Sequence, residues 1–148
     1  MRTPFVALVI VGLAVACSGG SDNRHGNPNE TAGDALQRQL DFISRGEYGL
    51  QWEELYPGQQ ALVPRTKFIE CMSKQPFTVN SLTVLETQDA FINDLGVNED
   101  NATKVSVQID SSAGTGKISY YEVRVKDGWR WILDRPAVEA YEQKRCPA

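Results

Sequence analysis

The stretch Lys117–Leu133, with the sequence KISYYEVRVKDGWRWIL, decides the fold. Asp127-Gly128 is a two-residue turn signal that favours positive φ, and such a pair joins two antiparallel strands. Before this turn, the odd-numbered residues of Tyr121–Val125 are apolar and share one face of a strand. After the turn, Trp129–Leu133 shows the same alternation. The stretch therefore predicts a β-hairpin.

Two further strands precede this hairpin. Val79–Thr87 is rich in β-branched residues, and Val105–Ile109 alternates apolar with polar side chains, as a half-buried strand does. Mostly polar residues predict turns over Gly96–Asn101 and Ser111–Gly116. Strands that follow one another through turns predict an antiparallel meander.

Helical patterns occupy the part of the chain before the strands. Asp34 is a candidate N-cap with Gln37 three residues later, as in a capping box, and Gly46 is a plausible stop. The predicted helices span residues 34–46, about 47–57, about 64–76 and about 136–143. Helices followed by a meander indicate the α+β class, with N-terminal helices packed on a curved antiparallel sheet of about four strands.

The N-terminus resembles a targeting segment. Phe5–Ala16 is uncharged, and as a helix it would reach roughly 18 Å, short of a bilayer core of about 30 Å. The sequence Leu13-Ala14-Val15-Ala16-Cys17 resembles a bacterial lipobox, which implies that Cys17 is lipidated and that residues 1–16 are a signal peptide. A lipobox normally has leucine where Ala14 stands, and Ala14-Val15-Ala16 also fits ordinary secretion.

Cysteine number bears on the same question. The chain has three cysteines, so lipidation of Cys17 leaves an even pair, Cys71 and Cys146. Outside the cytoplasm this pair is expected to form a structural disulfide. A redox-active pair is the alternative, but no Cys-x-x-Cys motif is present to lower a thiol pKa. More than one acyl chain on Cys17 would make membrane anchoring stable.

Charge and composition exclude several function classes. The net charge of −4 becomes −5 once residues 1–16 are removed, and no basic stripe for nucleic acid is present. Residues 17–32 lack large apolar side chains and are predicted to be a flexible tether, which leaves residues 33–148 as one domain. The single histidine, His25, lies in the tether, so the domain has no Ser-His-Asp arrangement or multi-histidine metal site.

Several short motifs follow one another along the chain: Gly46-Glu47-Tyr48, Trp52–Pro57, a helix with Phe68 and Cys71, and the hairpin that ends Asp127–Trp131. In these motifs the chain resembles the nuclear transport factor 2-like (cystatin-like) superfamily, over roughly residues 33–135. The resemblance implies a cone-shaped fold that often has a pocket between helices and sheet. Aromatic side chains would line this pocket, although filling the core is the more common use of such residues. They are Trp52, Tyr56, Phe68, Tyr121, Trp129 and Trp131.

Some enzymes of this superfamily use a pocket carboxylate as general base. The candidate carboxylates on the helices are Asp41, Glu53 and Glu54, and none matches a catalytic position of the family. Glu53 and Glu54 fall beside the apolar helix face and are expected to be solvated. The acidic stretches at residues 93–94 and 98–101 lack the spaced ligands of a calcium loop, so we expect no metal and no cofactor.

Taken together, these features predict a lipoprotein anchored to a bacterial cell membrane on its extracytoplasmic side. Its domain would bind a partner protein or a small hydrophobic ligand without catalysis. One alternative is an acid/base enzyme of isomerase or cyclase type that acts on a hydrophobic substrate. The other is a secreted, unlipidated protein with a scaffold or inhibitor role.

Overall fold

One antiparallel sheet forms the centre of the computed structural model, which describes residues 26, 28–94 and 96–148 apart from the side chains of residues 99 and 100. Its strands lie in the order β1-β2-β3-β4, a simple meander. Among the described residues, four helices precede the sheet in sequence and one follows it. The elements are α1 (Ala32–Ser44), α2 (Tyr48–Glu53), α3 (Pro57–Gln60), α4 (Arg65–Lys74), β1 (Val79–Asp94), β2 (Val97–Ser111), β3 (Gly114–Val125), β4 (Gly128–Ile132) and α5 (Arg135–Glu142).

The predicted α+β class is confirmed, and the sheet differs slightly from the predicted count of about four strands. Besides the four strands, Leu55 forms a single parallel bridge with Trp131, which adds a fifth, one-residue segment beyond β4. The peptide groups on either side make this junction, because Tyr56 N–H donates to the Trp131 carbonyl at 2.9 Å and Trp131 N–H donates to the Glu54 carbonyl at 3.1 Å.

The sheet curls into a half-barrel because β1 is irregular. Its pairing with β2 shifts register at three places, between Val79 and Ser81, Val84 and Glu86, and Ala90 and Ile92. The β1–β2 hairpin thereby reaches α3, where a Cβ added to Gly58 would lie 1.9 Å from the carbonyl oxygen of Gly96. Only glycine permits such a close backbone approach.

Helix α1 packs across the concave side of β1 and β2. Its apolar residues Leu36, Leu40 and Ile43 form one buried cluster with Val105, Val107 and Ile109 of β2. The alternation predicted for Val105–Ile109 is therefore the one that builds the core. A second cluster surrounds Phe68 of α4, Trp131 of β4 and Tyr141 of α5.

The predicted start of α1 was wrong by three residues. Thr31, not Asp34, is the N-cap, because the Thr31 hydroxyl accepts a hydrogen bond from Asp34 N–H at 3.1 Å. Asp34 occupies the third helical position and its carboxylate bonds back to Thr31, which completes a capping box. The predicted stop is confirmed in that Gly46 follows the helix with φ of +71°.

Two further predictions need correction. Pro57 was predicted only to end a helix, but it begins the short helix α3, since proline suits the first helical turn, where no N–H donor is required. Residues 97–101, predicted as part of a turn, belong to β2 because they pair with the extended β1; Asn98 stands opposite Asn93. Backbone pairing between the two strands therefore outweighs the polar composition, which by itself favours a turn.

The disulfide predicted between Cys71 and Cys146 is present, and it ties α4 to the tail that follows α5. Cys17, the predicted lipidation site, lies outside the described residues, as do all of residues 1–25. Residues 28–31, which fall in the predicted tether, contact the domain, since Arg124 donates to the Pro28 carbonyl at 2.6 Å and the Trp129 indole donates to the Glu30 carbonyl at 2.7 Å. Within the described residues, no helix has both the length and the apolar character to cross a membrane.

Candidate functional site

A cavity of about 470 Å³ lies between the helices and the sheet, and we call it the inner cavity. It is bounded by α1, α2, α4 and α5 and by residues of β3 and β4. Most of its wall is apolar, which is the character of a small-molecule site. The principal apolar lining residues are Leu36, Leu40, Ile43, Phe68, Trp131 and Tyr141.

Two buried amides, Gln39 of α1 and Gln51 of α2, line this cavity, and we call the part of the wall that they form the polar end. Gln39 is 2% exposed and Gln51 is 4% exposed. Within the described part of the chain, the Oε1 atom of neither side chain has a hydrogen-bond partner. Buried polar atoms without partners are uncommon and costly, so each needs an explanation.

Glu122 lies directly behind the polar end. Its side chain is fully buried on β3, opposite Thr103 of β2 and Trp131 of β4. The Gln39 Nε2 amide donates to Glu122 Oε2 at 3.1 Å, whereas Glu122 Oε1 has no partner among the described residues. Burial raises the pKa of the Glu122 carboxyl to about 8, since the favourable hydrogen bond from Gln39 is too weak to offset the loss of solvent, and the nearby Glu54 charge raises it further.

An ion network adjoins Glu122. Arg38 of α1 lies between two carboxylates, with its Nε 3.0 Å from Glu30 Oε1 and its Nη1 2.6 Å from Glu54 Oε2. Burial by itself would lower the pKa of the Arg38 guanidinium, but the hydrogen bonds and charges of Glu30 and Glu54 outweigh burial and hold that pKa above its usual value. Arg38 is therefore a permanent cation whose charge is matched by these two carboxylates.

The expectation that Glu54 is solvated was wrong. Glu54 is 1% exposed because it follows α2 at the point where the chain turns toward Trp131 and meets Arg38. Its neighbour Glu53 lies at the surface, with Oε1 3.5 Å from Arg65 Nη2. Asp41 accepts from the Gln37 amide on its own helix at 2.9 Å and does not line the inner cavity.

The structure brings two of the six candidate pocket aromatics to the inner cavity. Phe68 and Trp131 line it with ring centroids 6.1 Å apart, and the Trp131 indole donates to the Gln51 carbonyl at 3.0 Å. The other four are elsewhere. The Trp52 indole donates to the Val63 carbonyl, and the Trp129 indole donates to the Glu30 carbonyl. Tyr56 packs against the cluster formed by Val97, Ala102 and Val123. Tyr121 is on the opposite face of the sheet.

A second depression, the edge groove, has a volume of about 600 Å³. It runs along the part of β3 that precedes Tyr121, where β3 no longer pairs with β4, and it is open to solvent. Its exposed apolar residues are Phe91, Ile118 and Tyr121, and an ion pair between Asp94 and Arg135 lies at its rim. It lacks the buried, unpartnered polar atoms of the inner cavity, as far as the described residues show.

The mouth of the inner cavity is fixed by the disulfide. Cys71 belongs to the cluster around Phe68, and Pro147, the residue after Cys146, lines the cavity. The bond therefore holds the C-terminal tail against the cavity opening. Among the described residues, no group of three or more metal-ligating side chains occurs.

Sequence reasoning missed Gln39, Gln51 and Glu122. The position of Glu122 in β3 offered a signal, because the last residues of this strand are buried or partly buried on both faces, and Glu122 faces away from its neighbour Val123. No comparable signal existed for the glutamines, because an amide on an amphipathic helix is usually at the boundary with solvent. No family model matches the chain, and no curated protein matches it.

Proposed function

We propose that this protein is a cell-envelope lipoprotein whose domain binds a small, mainly apolar molecule in the inner cavity. The observation that carries the proposal is the combination of an apolar wall with two buried amide oxygens that have no partner among the described residues. Such a combination is typical of ligand sites, in which few polar groups fix the orientation of a largely apolar molecule. A core that only stabilises the fold has no use for unpartnered amides.

Membrane attachment and family are parts of the same proposal. The lipobox-like Leu13–Cys17 supports a lipid on Cys17 and a location outside the cytoplasm, and the disulfide supports an oxidising compartment. The order of helices and meander, with a cavity between them, supports membership of the nuclear transport factor 2-like superfamily. Fold alone does not fix function, so the ligand-binding assignment rests on the cavity.

Binding is tested with the apolar dye N-phenylnaphthylamine, whose fluorescence rises in an apolar site. The full chain carrying Cys17→Ala, purified without detergent, should bind the dye saturably. Ala113 lies at the cavity mouth, and Ala113→Trp should weaken dye binding by about tenfold, equivalent to about 1.4 kcal/mol. The matched control Ala61→Trp, at an exposed position away from the inner cavity, should not change it. No saturable binding, or equal effects of the two variants, would refute the cavity as a ligand site.

The anchor is tested separately by cell fractionation. Replacing Cys17 with Ala should move the protein from the membrane to the soluble fraction. Unchanged partitioning would overturn the lipid anchor without bearing on ligand binding.

An acid/base enzyme is the second candidate, and Glu122 is the observation that favours it. A buried carboxyl with a pKa of about 8 is suited to accept or donate a proton near neutral pH. Against this, Glu122 is separated from the inner cavity by Gln39. Exchange of solvent deuterium into a long-chain methyl ketone, lost in Glu122→Gln, would establish catalysis, and the absence of exchange would leave binding as the function.

A further inference from the structure

Resting on the proposed ligand-binding function, the geometry points to a more specific ligand: an apolar molecule that ends in an ammonium group held by Gln39 and Gln51. Two kinds of observation lead to this ligand class, namely the hydrogen-bonding character of the polar end and the charges that surround it.

Hydrogen bonding at the polar end requires a donor from the ligand. Gln39 Nε2 is already used by Glu122, so the Oε1 acceptor is the atom of Gln39 left for a bound molecule. Gln51 also presents an unpartnered Oε1, and the Gln51 carbonyl accepts from the Trp131 indole, which holds this residue in place. An ammonium group supplies three donors and no acceptor, and it therefore complements these oxygens.

The surrounding charges favour a cation over an anion. Glu30 and Glu54 act on Glu122 through their charges, and they carry two negative charges against the single positive charge of Arg38 that lies between them. The Arg124 guanidinium points away, toward the Pro28 carbonyl and the Trp129 ring. A ligand carboxylate would face the two amide oxygens and this excess of negative charge, whereas an ammonium would gain from both.

The occupants that compete with an amine are ordered water and a wholly apolar molecule. Water can hydrogen-bond both amide oxygens and would leave the cavity with no preference among head groups. A wholly apolar ligand would leave the oxygens unpartnered, and binding would then follow the length of the hydrocarbon alone. Both are outcomes of the experiment below.

Displacement of N-phenylnaphthylamine by three amphiphiles of equal chain length is the test. Decylamine, decanol and decanoic acid are titrated below their micellar concentrations into the full chain carrying Cys17→Ala. Decylamine should displace the dye at a concentration at least about tenfold lower than decanoic acid, with decanol between them. Equal displacement by all three, or a preference for decanoic acid, would overturn the ammonium assignment while dye binding itself would still support the apolar cavity.

Substitutions localise the preference. Gln51→Leu should reduce the advantage of decylamine over decanoic acid to about threefold or less, because it removes one of the two acceptors. The matched control Gln108→Leu makes the same change at an exposed position on the outer face of β2 and should leave the advantage unchanged. An undiminished advantage in Gln51→Leu would contradict the role of this amide. The titrations of the Cys17→Ala chain with Gln51 intact decide the ligand class even if the Gln51→Leu variant does not fold.

Discussion

The two sides of α1 differ in chemistry although they belong to one helix and face one domain. On one side Leu36, Leu40 and Ile43 pack on the valine and isoleucine side chains of β2 and also form part of the wall of the inner cavity. Beside them Arg38 meets Glu54 and Gln39 meets Glu122, so an ion pair, a buried amide and a fully buried carboxyl are neighbours. We call these the apolar side and the polar side of α1.

This difference shows where the structure departs from what stability alone requires. The apolar side gains free energy from burial at about 25 cal/mol for each Å² removed from water. The polar side has to offset the desolvation of charges and leaves amide oxygens unpartnered, and replacing such groups by apolar ones often stabilises a protein. Local rules are broken mainly at functional sites, which is why the polar side, next to the inner cavity, identifies the candidate site.

The largest expected effect comes from breaking the ion pair of the polar side. Arg38→Leu should lower the free energy of unfolding by about 4 kcal/mol, because Glu54 would stay buried without its cation. Urea unfolding followed by circular dichroism measures this loss. Arg45→Leu breaks an exposed pair with Glu47 and should change stability by less than about 1 kcal/mol. Similar losses in the two variants would contradict a special role for the buried pair.

Truncating a buried side chain on the apolar side should have a somewhat smaller effect on stability. Leu40→Ala should cost about 3 kcal/mol through lost burial and the space left behind. The same substitution at the exposed Leu85 should stay within about 0.5 kcal/mol. The two unfolding curves compare core and surface directly, and a Leu40→Ala loss as small as that of Leu85→Ala would mean that α1 is not packed on β2 as described.

The pH dependence of stability should come from the polar side, because Glu122 is there. Because the pKa of Glu122 is about 8 when folded and about 4.5 when unfolded, the native state binds more protons between these values. Stability should therefore fall as pH rises from about 4.5 to about 8, by up to about 1.4 kcal/mol for each pH unit. Glu122→Gln should remove this slope, and the exposed Glu142→Gln should retain it. A slope of the same size in Glu122→Gln would show that another group causes it and would contradict the raised pKa of Glu122.

The smallest expected effect has the opposite sign. Gln51→Leu should raise the free energy of unfolding by about 1 kcal/mol, because it removes a buried oxygen that has no partner within the described residues. Gln59 provides the matched comparison, since its amide accepts from Leu133 N–H at 2.8 Å and donates to the Leu133 carbonyl at 3.0 Å. Gln59→Leu should therefore be destabilising, and a destabilised Gln51→Leu would mean that its amide serves the fold rather than a ligand.

The fold was predictable where the pattern of a segment agrees with its environment. The hairpin at Asp127-Gly128 and the valine alternation of β2 could be read from the sequence, because turn geometry and half-buried strands leave local signatures. The start of α1 was misplaced because Thr31 and Asp34 are both good caps and only the folded geometry distinguishes them. The length of β1 was underestimated because its polar second half is held by pairing with β2 rather than by its own pattern.

The sequence by itself determined the α+β class, the order of helices before a meander, and the cysteine pair that closes the domain. These follow from periodicity, turn residues and residue counts, which are local properties of the chain. Only the tertiary structure decided that Glu54 is buried, that Gln39 reaches Glu122 across 83 positions of sequence, and that Gln39 lines an apolar cavity. The physical reason is that a polar residue leaves the same local sequence pattern whether its side chain faces water or the core. Its partner comes from a segment far away in sequence, which approaches only when the sheet curls.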